Sequence, residues 1–189
     1  YTGSKTIQFD IAQKNLSEVI FKAANPEYSK KTMAYEKTKL FLQDTDGKLL
    51  DKKDYDVVFT PENGALIPDV GAMIHVTVTG KNNYCGTAET DICVVDTGKS
   101  IQKAKIVYLD TDNVTSVKAY EYTGSPIKPD RFKLVVGSGK KAVEIDPSSY
   151  EVVAYSNNVN KGKATMTVRG TGKYGGLVTY KFTIAAKKK

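Results

Sequence analysis

Tryptophan is absent from this chain, and only one His (His75), two Cys (Cys85 and Cys93) and two Arg (Arg131 and Arg169) occur among its 189 residues. Each scarcity closes a class of function. A hydrolytic triad needs a histidine as its base, and His75 sits beside Thr77 and Thr79 on the polar side of an alternating run, where a surface role is expected. Two cysteines fall short of a disulfide framework or a zinc site. In an extended strand Cys85 and Cys93 would stand roughly 26 Å apart at ~3.3 Å per residue, against the ~7 Å that a disulfide tolerates. Cys93 reads as an exposed thiol with nothing near it to stabilise a thiolate. No apolar run approaches the ~18 residues of a membrane span, so membrane insertion is not expected. Without Trp, stacking on sugar rings would fall to the 12 Tyr.

Charge of one sign dominates without clustering. Lys and Arg number 28 against 21 Asp and Glu, a formal charge of +7. A nucleic-acid reader concentrates its positive charge on one face and reaches bases and phosphates with Arg. Here the lysines are scattered, and no nucleic-acid partner is expected. Calcium fares no better. DTDG (44–47) lacks the ligand set of an EF-hand loop, because Leu42 falls at the first ligand position and Lys53 at the twelfth. Asp and Gly are what a hairpin turn needs, so DTDG reads as a turn. DTDN (110–113) could join a cation site between domains, but has too few ligands to carry one. No metal, cofactor or catalytic residue is expected, and the chain reads as a non-enzyme. Asn15-Leu-Ser and Asn113-Val-Thr match the glycosylation triplet, which arises often by chance.

What the chain does have is internal repetition. YTGSKTIQFDI at residue 1 returns as YCGTAETDICV at 84 and as YGGLVTYKFTI at 174. Upstream, VTVTGKNNYCG (76–86) aligns with MTVRGTGKYGG (166–176), DYDVVF (54–59) with SYEVVA (149–154), and MAYEKT (33–38) with KAYEYT (118–123). Two full units follow, residues 13–96 and 97–189, preceded at 1–12 by what reads as the last strand of an earlier unit in a longer array. An amphipathic strand without its sheet is expected to pair with an exposed edge, in this chain or in a second copy.

Each unit reads as all-β. Ala164, Met166 and Val168 alternate with Thr165, Thr167 and Arg169, and Ile74, Val76 and Val78 with His75, Thr77 and Thr79. GSGK (137–140), like DTDG, lies between alternating runs and marks a hairpin. Seven short strands per unit, with turn signals every 8 to 12 positions, predict a β-sandwich. NLSEVIFKAANPEYSKK (15–31) has some helical spacing, but its counterpart SIQKAKIVYLDTDNVTS (100–116) alternates, so both are predicted as strands. The short junction VVDTGKSIQK (94–103) predicts a stiff head-to-tail pair.

The run AYEYTGSPIKP followed by SSYEVVAYSNNVNKGKATMTVRGTGKYGGLVTYKFTI resembles a bacterial immunoglobulin-like repeat over nearly all of the second unit. The first unit departs from that pattern, with ENGALIPDVGAMIHV in place of SNNVNKGKATM and KTKLFLQD in place of YTGSPIKPD. The resemblance implies two tandem immunoglobulin-like β-sandwiches from a secreted, cell-surface or cell-wall protein of the Gram-positive type. In that setting they would serve as a stalk or spacer, or as an adhesin module that binds a host glycoprotein or polysaccharide. Surface domains of this kind sometimes carry a Lys–Asn crosslink, but the last strands have no interior Asn and none is expected. Tyr55 and Tyr150 recur on the Val57 and Val152 side and read as core residues with hydrogen-bonded hydroxyls; Tyr84 and Tyr174 read as packing the last turn. Tyr122 and Tyr155 have Lys37 and Thr60 opposite them in the repeat. As non-recurring aromatics they are the candidate ligand-binding residues. The loops ENGALIPD (62–69) and SPIKPD (125–130) differ between units and would carry adhesion.

Overall fold

A computed structural model describes residues 4–7, 12–112 and 116–186. Among them the chain is all-β: fourteen strands and six single-turn 3-10 helices, arranged in five small sheets. Among the described residues no helix is long and apolar enough to cross a membrane. The sheets fall into two sets that share no strand, one within residues 14–93 and the other within 105–185.

In the first half, β1 (Lys14–Asn15) pairs with β6 (Tyr84–Cys85), and β2 (Ile20–Ala23) with β3 (Leu40–Gln43). The third sheet runs β4 (Tyr55–Pro61), β5 (Met73–Gly80), β7 (Thr87–Cys93). The second half contains β8 (Lys105–Tyr108), β10 (Phe132–Val136) and β11 (Val143–Glu144) in one sheet. It faces a sheet ordered β12 (Tyr150–Ser156), β13 (Gly162–Gly170), β14 (Leu177–Ala185), β9 (Tyr120–Glu121).

Alternation explains why these segments are strands. Ile74, Val76 and Val78 on β5, and Ala164, Met166 and Val168 on β13, are all fully buried, with their neighbours on the opposite face. In the second half the two sheets close over one core, in which Tyr108, Tyr120 and Phe182 meet edge to face with centroids 5.7–6.0 Å apart. Burial pushes the Tyr120 and Tyr180 hydroxyls up to about 12. Tyr180 Oη donates to the Ala104 carbonyl at 3.2 Å.

The halves repeat the same small devices. A 3-10 turn opens each, capped by Asn15 accepting from Ser17 N at 2.9 Å or by Ser100 accepting from Gln102 N at 3.2 Å. Lys81 N donates to Asp54 O at 2.8 Å as Thr171 N donates to Ser149 O at 2.9 Å. Segments 15–31 and 100–116, read from sequence as plain strands, therefore each begin with a helical turn before the strand starts.

Two differences matter below. MAYEKT contains a 3-10 turn at Ala34–Lys37, entered through Met33 at φ 52°, whereas the matching Tyr120–Glu121 pairs in parallel with β14. And β12 carries a bulge between Val152 and Ala154, while β4 runs without one. The extra residue turns Ala154 outward and returns Tyr155 to the core side.

The strand pairing expected for residues 1–12 is not seen over 4–7, which are exposed and irregular; the rest of that segment, apart from residue 12, lies outside the described residues. The Tyr150 hydroxyl is buried beside the Leu134 backbone.

Phe182 closes the aromatic triangle, so Phe182→Ala should lower the unfolding free energy by about 3–5 kcal/mol in urea titration.

Candidate functional site

The most heavily built feature outside the two cores is the contact between the halves. The connecting segment is not free: Tyr28 N donates to Val95 O at 2.7 Å, Val95 N to Pro26 O at 2.9 Å, and Gly98 N to the Glu27 carboxylate at 2.6 Å. Beyond it, Gly175 N donates to Lys99 O at 2.7 Å and Ile101 N to Gly175 O at 3.0 Å. The chain is thus stitched on both sides of the crossover.

Asn25, only 8% exposed, stands at the centre. Its Oδ1 accepts from Cys93 N at 3.0 Å within the first half. Its Nδ2 donates to Tyr174 O at 3.4 Å, and its backbone carbonyl accepts from Gly176 N at 3.2 Å, both across the contact. Around it Ala24 and Phe41 pack on Val153, Ala154 and Leu177 in a small apolar cluster. Arg169 donates to Ala23 O at 3.2 Å, with its Nε 3.1 Å from Glu151, and Gln43 donates to Ser156 Oγ at 2.6 Å. The backbones approach so closely that a Cβ on Gly175 would lie 2.3 Å from the Asn25 carbonyl oxygen. Cys93, read as exposed, is half-buried here; both cysteines are free thiols.

A groove of about 480 Å³ runs beside this contact, with Ile20 and Gln43 on one wall and Pro126, Lys128, Val153 and Tyr155 on the other. Tyr155 is therefore at the junction, but it is anchored: its ring packs on the second core and its hydroxyl donates to Pro129 O at 2.7 Å. Ile127 and Asn158 exchange two further hydrogen bonds, at 2.8 and 3.0 Å, fastening the SPIKPD loop to the end of β12. Tyr155 also has a counterpart after all. It pairs with Met166 as Phe59 pairs with Val76, and the bulge in β12 hides this equivalence from a residue count. Tyr122 packs on the same core with Lys161 Nζ 5.1 Å from its ring centroid, and does not line the groove. The structure does not bring the two tyrosines into one pocket.

Two polar clusters lie in the first half. His75 Nδ1 is 2.8 Å from Asp91 Oδ1 and its Nε2 is 3.6 Å from Glu89, on the exposed face of β5 and β7. Nearby carboxylates raise its pKa above the ordinary histidine value, with the Asp91 hydrogen bond the largest cause. No hydroxyl or thiol is hydrogen-bonded to His75 among the described residues, so the geometry of a nucleophile activated by a base is not formed there. Lys14, Asp44 and Tyr84 form the second. Lys14 Nζ contacts one Asp44 oxygen, and Tyr84 Oη donates to the other at 2.8 Å. These partners hold the Asp44 carboxyl down at about 2 and push the Tyr84 hydroxyl up to about 12. The DTDG turn thus ties β3 to the strand pair β1–β6. In the second half Lys99, the counterpart of Lys14, lies over the Tyr174 ring at 5.6 Å instead. Among the described residues no group of three or more His, Cys, Asp or Glu side chains could hold a metal ion.

No protein-family model matches the chain, and no curated protein matches it.

Asp44 is lowered in the fold, so the stability it contributes is present above its unfolded value near 3.9 and is lost as pH falls towards 2. Tyr84 is raised, so its contribution holds below about 10 and is lost as pH rises through about 12. Asp44→Asn should cost about 1–2 kcal/mol at pH 7 and flatten the acid limb of a urea-midpoint profile, and Tyr84→Phe should flatten the alkaline limb. For His75, also raised, the favourable interaction is present below about 6.5 and fades as pH climbs past its folded value. NMR titration should place its midpoint above 6.5, and Asp91→Asn should bring it back down.

Proposed function

We propose that this chain is a non-catalytic pair of tandem immunoglobulin-like β-sandwiches, residues 13–96 and 97–189, acting as a stiff spacer that presents a distal domain. The setting that fits is extracellular: a secreted, cell-surface or wall-attached protein. The observation that carries the reading is the contact centred on Asn25 and Gly175. A connector between independent modules needs only enough chain to span the gap, and relative motion is the default when little is buried between them. Here the linker is hydrogen-bonded along its length, an apolar cluster is buried, and two backbones meet without room for a methyl group. Such a contact resists bending, and resistance to bending is what a spacer requires. The repeated capping turns and the matched hydrogen bonds of the two halves support the tandem reading.

A second reading, an adhesin module that binds a host glycoprotein or polysaccharide, is favoured by one observation. The loop that departs most from the repeat leaves Leu66 57% and Ile67 40% exposed, with Met33 and Val70 also open to solvent. Recognition residues commonly sit on loops held by a rigid scaffold. Tyr155, beside the junction groove, and Tyr122 remain the aromatic candidates for that role.

The spacer reading is tested at its narrowest point. Gly175→Ala places a methyl group against the Asn25 carbonyl and should cost about 1–3 kcal/mol. Scanning calorimetry should change from one shared transition to two, with the halves melting separately. A variant that keeps a single unshifted transition would show that the contact does not couple the halves, and would count against a stiff spacer.

A further inference from the structure

The two halves treat the same sheet edge differently. In the second half the edge strand β12 is bulged at Val153, and Gln43 of the first half donates to Ser156 at its end. Bulges and coverings are how proteins keep an open edge from recruiting strangers. The equivalent strand β4 has no bulge: it runs straight for seven residues and, among the described residues, pairs only with β5.

Its hydrogen-bonding phase is fixed at both ends. Lys81 N donates to Asp54 O, and Glu62 N donates to Met73 O, so the even-numbered residues turn their backbone groups towards β5. By the alternation of an antiparallel ladder, Tyr55, Val57 and Phe59 aim their N–H and C=O groups outward. They look into a cavity of about 500 Å³ whose far wall is the segment 36–40. Among the described residues no backbone hydrogen bond crosses that gap. The floor is apolar, formed by Val57, Phe59 and Leu40, with Leu177 of the second half closing one side. The rim is basic: Lys37, Lys39 and Lys52 line it, and none is ion-paired with a described residue. Of the two acids on the rim, Asp56 is engaged by Lys81 at 2.7 Å, which leaves Glu36 alone against three ammonium groups.

We propose that this cleft binds an extended acidic segment of a partner protein, added as a strand to the edge of β4. Tyr55, Val57 and Phe59 would supply the main-chain ladder. Alternate apolar side chains of the partner would cover Val57, Phe59 and Leu177, and its carboxylates would meet Lys37, Lys39 and Lys52. A second copy of this chain is a poorer occupant: two β4 edges would bring the same lysines together, on molecules that each carry a formal charge of +7. The site lies in the first half and does not depend on the spacer reading, so either can fail without the other.

The probe is a fluorescein-labelled heptapeptide alternating Val and Glu, with a Val and Lys heptapeptide as comparison. Fluorescence anisotropy should show saturable micromolar binding of the acidic peptide, weakening with added salt, and none of the basic one. Val57→Pro removes an outward N–H that β5 does not use, so the fold should hold while binding drops by at least about tenfold. A triple variant, Lys37→Glu, Lys39→Glu and Lys52→Glu, should weaken binding by a similar factor and decides the matter if the proline variant unfolds. Absence of saturable binding overturns the proposal, as does binding that both variants leave unchanged. So does a Val57-dependent dimer in sedimentation equilibrium, which would make a second copy the occupant.

Discussion

Everything about how the two halves relate depends on the approach of Gly175 to the Asn25 carbonyl. A buried amide must find hydrogen-bond partners or pay for their loss, and Asn25 finds its partners on both sides: Cys93 N in its own half, Tyr174 O and Gly176 N in the other. That satisfaction is available only if the 174–176 turn comes within hydrogen-bond distance, and the turn comes that near only because residue 175 has no side chain. The apolar cluster of Phe41, Ala154 and Leu177 then closes around a geometry the polar groups have set. Arg169 and Gln43 add bonds at its rim. Burial supplies most of the cohesion, as it does in any core; the amide and the glycine supply the register.

The same turn in the first half shows how specific this is. There the sequence is Tyr84-Cys85-Gly86-Thr87, with Thr79 at the place of Arg169. Cys85 brings the Cβ that the contact forbids, Thr87 lacks the apolar reach of Leu177, and Thr79 carries no charge. The two halves therefore differ at corresponding positions in two ways. The second half has a turn shaped to seat on its neighbour and a bulged edge. The first half keeps an unbulged edge above an apolar cleft, and fastens its own DTDG turn with the Lys14–Asp44–Tyr84 network.

Much of the architecture was legible in the chain itself. Period-2 alternation marked β5 and β13, the DTDG and GSGK turns fell where hairpins close, and the repeat aligned turns whose backbone hydrogen bonds match in the structure. What escaped has physical reasons. A bulge adds one residue without changing composition, so counting along the repeat set Tyr155 against Thr60 when the sheet sets it in the place of Phe59. The 3-10 turns at 16–18 and 101–103 are too short to show a helical period, although the capping Asn15 and Ser100 were there to be read. The junction left a trace in the exchange of Cys85 for Gly175 and Thr87 for Leu177, but a glycine becomes informative only when one knows what stands opposite it. The β4 cleft is invisible in sequence, because an open edge is defined by the strand that is missing beside it.

The central claim is that two sandwich-like halves move as one body because of a single close-packed contact. Residual dipolar couplings of the weakly aligned protein test this most directly. If the contact holds, couplings from residues 13–93 and from 100–185 fit one alignment tensor with a fixed relative orientation. Two tensors of different magnitude would mean that the halves reorient independently, and would contradict the account.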